Sequence, residues 1–198
     1  MAPMVVDPAK VRTFKDKASF YDWLGRNHDR ETELWIRVFK VKSGVASITI
    51  PETIDVALCW GWIDGIKKGL DEVSFLQRYT PRGRKSVWSQ VNVGNVARLI
   101  EEGAMTPHGL KHVEAAKADG RWDAAYRTSN AAVPDDLMAA IDADPQARAT
   151  FDILTAQNRF ALIFRTQGMK TEAGRRKKIA ELTAMLARGE TPYPQKRA

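Results

Sequence analysis

The chain is poor in the residues that build crosslinks and metal centres, with one cysteine, Cys59, and three histidines in 198 residues. An intrachain disulfide and a zinc ribbon are both excluded. His108 and His112 stand at i and i+4, a spacing that offers two ligands from one helix face. Their run, H-G-L-K-H, lacks the glutamate of a zincin motif, and no third ligand accompanies it. No metal and no cofactor is expected. No apolar run approaches the roughly 18 residues that suggest a membrane span. The first residues, M-A-P-M-V-V-D-P, lack both a basic stretch and a long apolar core, so no secretory signal is expected and the cytoplasm is the default compartment. Internal repeats and low-complexity tracts are also missing.

What is present is enough to fold. A hydrophobic content of 44% suits one domain, or one domain with an appended module. The net charge of +7 is unevenly placed: residues 65–90 carry six Lys/Arg against two Asp/Glu, and residues 170–198 carry eight against three. Such patches suit an anionic small molecule, an acidic protein partner or nucleic acid, and they equally suit a solvated basic face.

Periodicity and capping signals outline the elements. Residues 11–14 suit a short strand. Asp16 suits the N-cap of a helix that turns Phe20, Trp23 and Leu24 inward and ends near Asn27. Residues 33–42 (E-L-W-I-R-V-F-K-V-K) read as an inner strand, apolar on both faces. Pro51 opens a helix with Glu52 and Asp55 near its positive end and Ile54, Ala57 and Leu58 inward, which Gly61 terminates. Trp62-Ile63 begins an extended segment, and Asp64-Gly65 resembles a hairpin turn. Residues 73–80 form a strand that Pro81 stops.

From Ser86 the pattern is helical, with Trp88, Val91, Val96, Leu99 and Ile100 as the stripe. Thr106-Pro107 opens a further helix that runs to Asp119-Gly120. Residues 127–132 (R-T-S-N-A-A) have linker composition. Helices then start at Pro134 and at Asp144-Pro145, a third covers 158–166, and a last runs over 171–188 before Gly189. The prediction is α+β: a small, mainly antiparallel sheet with packed helices over 1–128, then an all-helical C-terminal module over 129–198.

Residues 57–92 hold three of the six tryptophans and the cysteine, mixed with Asp, Arg, Lys, Ser and Asn. Large aromatics among polar groups build pockets, and they build cores just as readily. Cys59 between Leu58 and Trp60 suits a buried small hydrophobe better than a nucleophile. Arg82-Gly83-Arg84-Lys85-Ser86 lacks the earlier glycine of a phosphate-binding loop. A basic loop just before a helix is still a candidate anion site. A buried Asp64 needs a cation, for which Arg78 and Arg82 are nearest in sequence. The candidate ligand-binding set is Trp62, Asp64, Arg82, Ser86, Trp88 and Asn92, with Trp as apolar wall, Arg as charge, and Ser and Asn as orienting groups.

The runs A-L-C-W-G-W-I-D-G, Y-T-P-R, K-S-V-W-S-Q-V-N, E-E-G-A-M-T-P-H-G-L and A-K-A-D-G-R-W resemble the YdeI/OmpD-associated family, labelled bacteriocin-protection proteins. From Pro134 through M-K-T-E-A-G-R-R-K-K-I-A to Gly189 the chain resembles that family's helical module, although Gly168 and Gly174 stand where Ala and Thr are usual. The resemblance implies protection against bacteriocins, antimicrobial peptides or stress, and implies no reaction. A distant likeness of the N-terminal part to small α+β proteins proposed as iron chaperones lacks the clustered carboxylates that a metal site needs. The expectation is a protein that binds an anionic small molecule or acidic partner. The alternatives are nucleic-acid binding through the basic patches, and an enzyme with Asp64 as general base and Arg82 stabilising an oxyanion.

Overall fold

Short polar residues ahead of apolar runs set where the helices begin. In the computed structural model, which describes residues 5–126 and 132–195, Asp16 caps α1 (Lys17–Asn27) by accepting from the Ser19 amide at 2.8 Å. Thr49 and Glu52 form a reciprocal capping box at the start of α2 (Ile50–Cys59). Ser89 caps α3 (Gln90–Glu101), and Thr106 caps α4 (Pro107–Ala118). Each cap satisfies amides that a helix start leaves open.

The strands are β1 (Val11–Arg12), β2 (Leu34–Phe39), β3 (Trp62–Gly69) and β4 (Ser74–Pro81), in the spatial order β1-β2-β4-β3. Only β1 with β2 is parallel, so the sheet is mainly antiparallel, as expected. Leu34, Trp35, Ile36 and Val38 of β2 are all buried, as an inner strand requires. One core joins Phe20 and Leu24 of α1 and Val56 of α2 to Leu34, Ile36 and Tyr79 of the sheet. The Tyr79 hydroxyl, buried there, bonds Thr53 Oγ1 at 2.6 Å. A second core joins Leu58 and Cys59 at the end of α2 to Trp88, Val96, Leu99 and Val113.

Three expectations are corrected. Asp64-Gly65 is no turn: β3 runs through it, with a register irregularity between Asp64 and Lys67. The Gln77 side-chain amide donates to the Gly65 carbonyl at 2.8 Å and bridges that irregularity. The reversal lies at residues 70–73, where Asp71 accepts from the Val73 and Ser74 amides and the Ser74 hydroxyl and pairs with Arg37. That local network outweighs the Asp-Gly signal. Second, α3 begins at Gln90 rather than near Ser86, which leaves Val91 and Ile100 exposed and Val96 and Leu99 as its buried pair. Third, α2 buries Thr53 and Val56 beside Ala57 and Leu58, with Ile54 only partly covered.

The chain divides into two units, Met1–Tyr126 and Arg127–Ala198. Apart from Ala132, the linker-like run lies outside the described residues. The described part of the second unit holds helices and no strand: α5 (Asp135–Asp142), α6 (Pro145–Asp152), α7 (Ala156–Gln167) and α8 (Glu172–Ala187). Asp144, Thr155 and Thr171 cap α6, α7 and α8. Leu137, Ile141, Phe151 and Leu162 meet the α8 stripe Ile179, Leu182 and Leu186 in one core. The architecture is α+β.

Asn158 in α7 is buried and holds the segment after α8. Its amide donates to the Tyr193 carbonyl at 3.0 Å and to Gln195 Oε1 at 2.7 Å, and its Oδ1 accepts from the Tyr193 amide at 2.8 Å. Asn158→Ala leaves those groups without their buried partner. The expected loss is about 1–3 kcal/mol, read as a lower denaturation midpoint of the second unit and faster proteolysis beyond Gly189.

Candidate functional site

The site is built around a sharp exit from α2. The Cys59 carbonyl, at the helix end, accepts from both the Thr106 hydroxyl at 2.6 Å and the Thr106 amide at 3.2 Å. A Cβ at Gly109 would drive into the Leu58 and Cys59 carbonyl oxygens, so only glycine lets α4 start this close. Gly61 has φ of +71° and redirects the chain into β3, and a Cβ there would overlap the His112 ring. The Gly61 carbonyl accepts from the Arg82 amide at 2.9 Å, which extends the β3–β4 pairing by one bond.

That bond places Arg82 just beyond β4 with its side chain turned inward. The residue is 4% exposed. Its guanidinium carbon lies 3.8 Å from the centroid of the Trp88 ring, a cation–π stack. Nη1 donates to the Val87 carbonyl at 3.1 Å. Nε and Nη2 are buried and have no hydrogen-bond partner among the described residues. These two nitrogens share one edge of the guanidinium, the fork that grips a carboxylate or phosphate with two parallel bonds. Trp88 packs edge-on against Trp122 at 4.9 Å, and its own indole N–H also has no partner among the described residues.

Several ionisable groups lie near enough to couple electrostatically with Arg82. The Asp64 residue is open to solvent from one side, yet the protein crowding its carboxyl raises its pKa through desolvation, against the opposing pull of Arg82. Burial lowers the Arg82 pKa to about 10, with Asp64 raising it and Arg121 lowering it, so the guanidinium stays charged at neutral pH. Tyr126 is raised by burial and then by Asp64. His112 is lowered by burial and then by Arg82, Lys111 and Arg121. Arg121 donates to the Ser86 carbonyl at 2.8 Å and pairs with Asp119.

Of the six residues singled out in the sequence, Arg82 and Trp88 stack on each other here, and Asp64 couples electrostatically to Arg82. Trp62 is fully buried in the sheet core, with its indole N–H on the His28 carbonyl at 3.4 Å. Ser86 contributes its carbonyl, to Arg121. Asn92 contributes its amide, to the Ser89 cap at 3.1 Å. The cation expected beside Asp64 does not form an ion pair with it: Arg78 pairs with Glu33 at 3.0 Å instead. Arg84 and Lys85 are exposed and stand ahead of the helix start rather than on it. The sequence points to His112 only as a metal ligand beside His108 and singles out neither Arg121 nor Tyr126, because all three lie 30 or more residues downstream of Arg82. The A-K-A-D-G-R-W run was the one signal near them.

Cys59 is fully buried, and burial pushes its thiol up to about 11. Among the described residues no group of three or more His, Cys, Asp or Glu is placed to hold a metal ion. Cys59 is therefore expected to resist a water-soluble disulfide reagent at pH 8 in the native protein. It should react promptly once denaturant exposes it; reaction at the same rate in both states would contradict its burial.

Residues 12–112, just over half of the chain, match the family model described as a domain of unknown function, DUF8412. Residues 130–189 match the model described as Bacteriocin-protection, YdeI or OmpD-Associated. No curated protein and no solved structure matches the chain. The motifs at 57–112 thus fall under a model separate from the one whose description the resemblance supplied, which covers the helical module alone. The chain belongs to the DUF8412 family and carries, in its second unit, a domain of the bacteriocin-protection, YdeI or OmpD-associated family.

Proposed function

We propose that the first unit is a binding module for a small anionic group, which the Nε/Nη2 edge of Arg82 holds against the Trp88 wall. The observation that carries this reading is the unpaired edge itself. A buried donor left unsatisfied costs about 1–3 kcal/mol, and more when charged, and this side chain has two such donors on the edge suited to an oxyanion. Solvent does not reach either nitrogen, so the anion enters as the side chains over them shift.

Several basic residues are already engaged, which favours one small anion over a nucleic-acid backbone. Arg78 pairs with Glu33, Arg175 with Asp136, Arg176 with Glu172, Lys178 with Glu181 and Arg188 with Glu190. Phosphate-backbone binding needs a row of available cations. The family description of the second unit sets the physiological context we propose, tolerance of bacteriocins or related stress in the cytoplasm.

Sulfate is the probe, because it stays dianionic from pH 5 to pH 8 (roughly the range over which histidine and a raised carboxyl titrate). The native protein should bind it in calorimetric titration. Arg82→Lys keeps the charge but loses the fork, and should weaken binding on the order of tenfold or more while the circular dichroism spectrum is unchanged. Equal affinity in a folded variant would refute the reading.

The pH dependence has a definite sign. Asp64, with its pKa raised, gains negative charge beside Arg82 as pH rises, and His112, with its pKa lowered, gains positive charge only in acid. Both changes make anion affinity fall as pH rises. Asp64→Asn should raise sulfate affinity at neutral pH and flatten the profile. Because a raised carboxyl contributes stability at low pH and loses it as pH rises through the folded pKa, the same variant should not destabilise the fold at pH 7.

A further inference from the structure

The end of the sheet formed by the exit from β2 and the β3–β4 turn carries an uncommon surface. Val41 is 100% exposed in a one-turn helix that Gly44 closes with a positive φ. Val45 is 49% exposed on the same loop, and Leu70 and Val73 are 49% and 42% exposed on the adjacent turn. The two tips are tied together: the Lys40 amide donates to the Val73 carbonyl at 2.8 Å, and Lys40 Nζ donates to the carbonyls of Asp71 and Glu72. Val41 and Val45 border an open apolar groove of about 360 Å³ with Phe75 at its wall. Lys67 Nζ sits 3.7 Å above the Phe75 ring.

The charges at this end are mostly positive. Lys40, Lys42 and Lys67 are exposed. Lys40 is bound to carbonyls, which leaves its charge uncompensated. Of the two acidic residues on the turn, Asp71 is paired with Arg37 and accepts from Ser74, and Glu72 is exposed.

We propose that this end of the sheet docks on an anionic lipid bilayer, with Val41, Val45, Leu70 and Val73 entering the interface and Lys40, Lys42 and Lys67 meeting the headgroups. Aliphatic tips ringed by lysine fit that partner on charge and on shape. The lysine stems lie along the apolar boundary while their ammonium groups stay with the headgroups. A protein partner fits less well, since protein interfaces are depleted in lysine and centred on aromatic residues, Met and Arg. Nothing in this inference rests on the Arg82 site.

The test is sedimentation of the full chain with vesicles of neutral phosphatidylcholine and with vesicles doped with anionic phosphatidylserine. The doped vesicles should carry the protein down, and added salt should release it. Lys42→Gln should weaken binding roughly fivefold, the worth of one basic residue at an anionic leaflet. Val41→Asp, at a fully exposed position, should abolish binding without lowering the thermal midpoint. Arg82→Lys should bind vesicles like the native chain, and if it does not, the anion site is what holds the lipid and the docking face is wrong. Absence of vesicle binding, or binding that Val41→Asp leaves intact, overturns the proposal. So does self-association abolished by Val41→Asp without vesicle binding, which assigns the face to a second copy of the chain.

Discussion

Gly61 is the constraint on which the first unit depends. A helix that ends beneath another helix must satisfy its last carbonyls and leave without a side chain in the way. Thr106 meets the first need with two donors on the Cys59 carbonyl. Gly61 meets the second with a positive φ that L side chains rarely adopt, in a space the His112 ring already fills. Its carbonyl then sets the register of Arg82. The turn, the packing of α4 and the placement of the buried guanidinium are one arrangement. A Cβ at either Gly61 or Gly109 disturbs all of it at once.

Arg82 itself is hard to explain as a device for stability. Stacking on Trp88 and one bond to Val87 recover part of the cost of taking a guanidinium out of water. Asp64, the carboxyl coupled to it, forms no ion pair with it and shows a raised rather than a lowered pKa. A purely structural pair would close that gap and depress the carboxyl. An open fork beside a raised carboxyl is the observation from which the anion-binding proposal starts.

Local chemistry made most of the fold readable. Asp16, Thr106, Asp144 and Thr171 each act where a short polar residue precedes an apolar run, because their caps involve only amides two or three residues away. The error at Asp64-Gly65 has the same origin. A two-residue turn signal says nothing of Gln77, which bridges the irregularity from the neighbouring strand, or of Arg37, which pairs with the turn from another. The site was half readable for the same reason. Asp64, Arg82 and Trp88 lie within 25 positions of one another, whereas His112, Arg121 and Tyr126 come near enough to couple with Arg82 only after α4 has folded back onto α2.

Net charge is the least transferable of the sequence-level quantities. The basic run at the start of α8 looks like a patch in the sequence, but Arg175 takes both oxygens of Asp136, and Arg176 and Lys178 pair along their own helix. In the first unit some cations pair in the same way, Arg37 with Asp71 and Arg78 with Glu33, but three take other tasks: Arg82 is buried, Lys67 covers Phe75 and Lys40 ties two tips together. The same positive excess therefore supports different chemistry in the two units. Where an acidic neighbour lies within reach it stabilises helices by small increments. Where none lies within reach, as at Lys40, whose ammonium group meets only backbone carbonyls, the charge stays uncompensated.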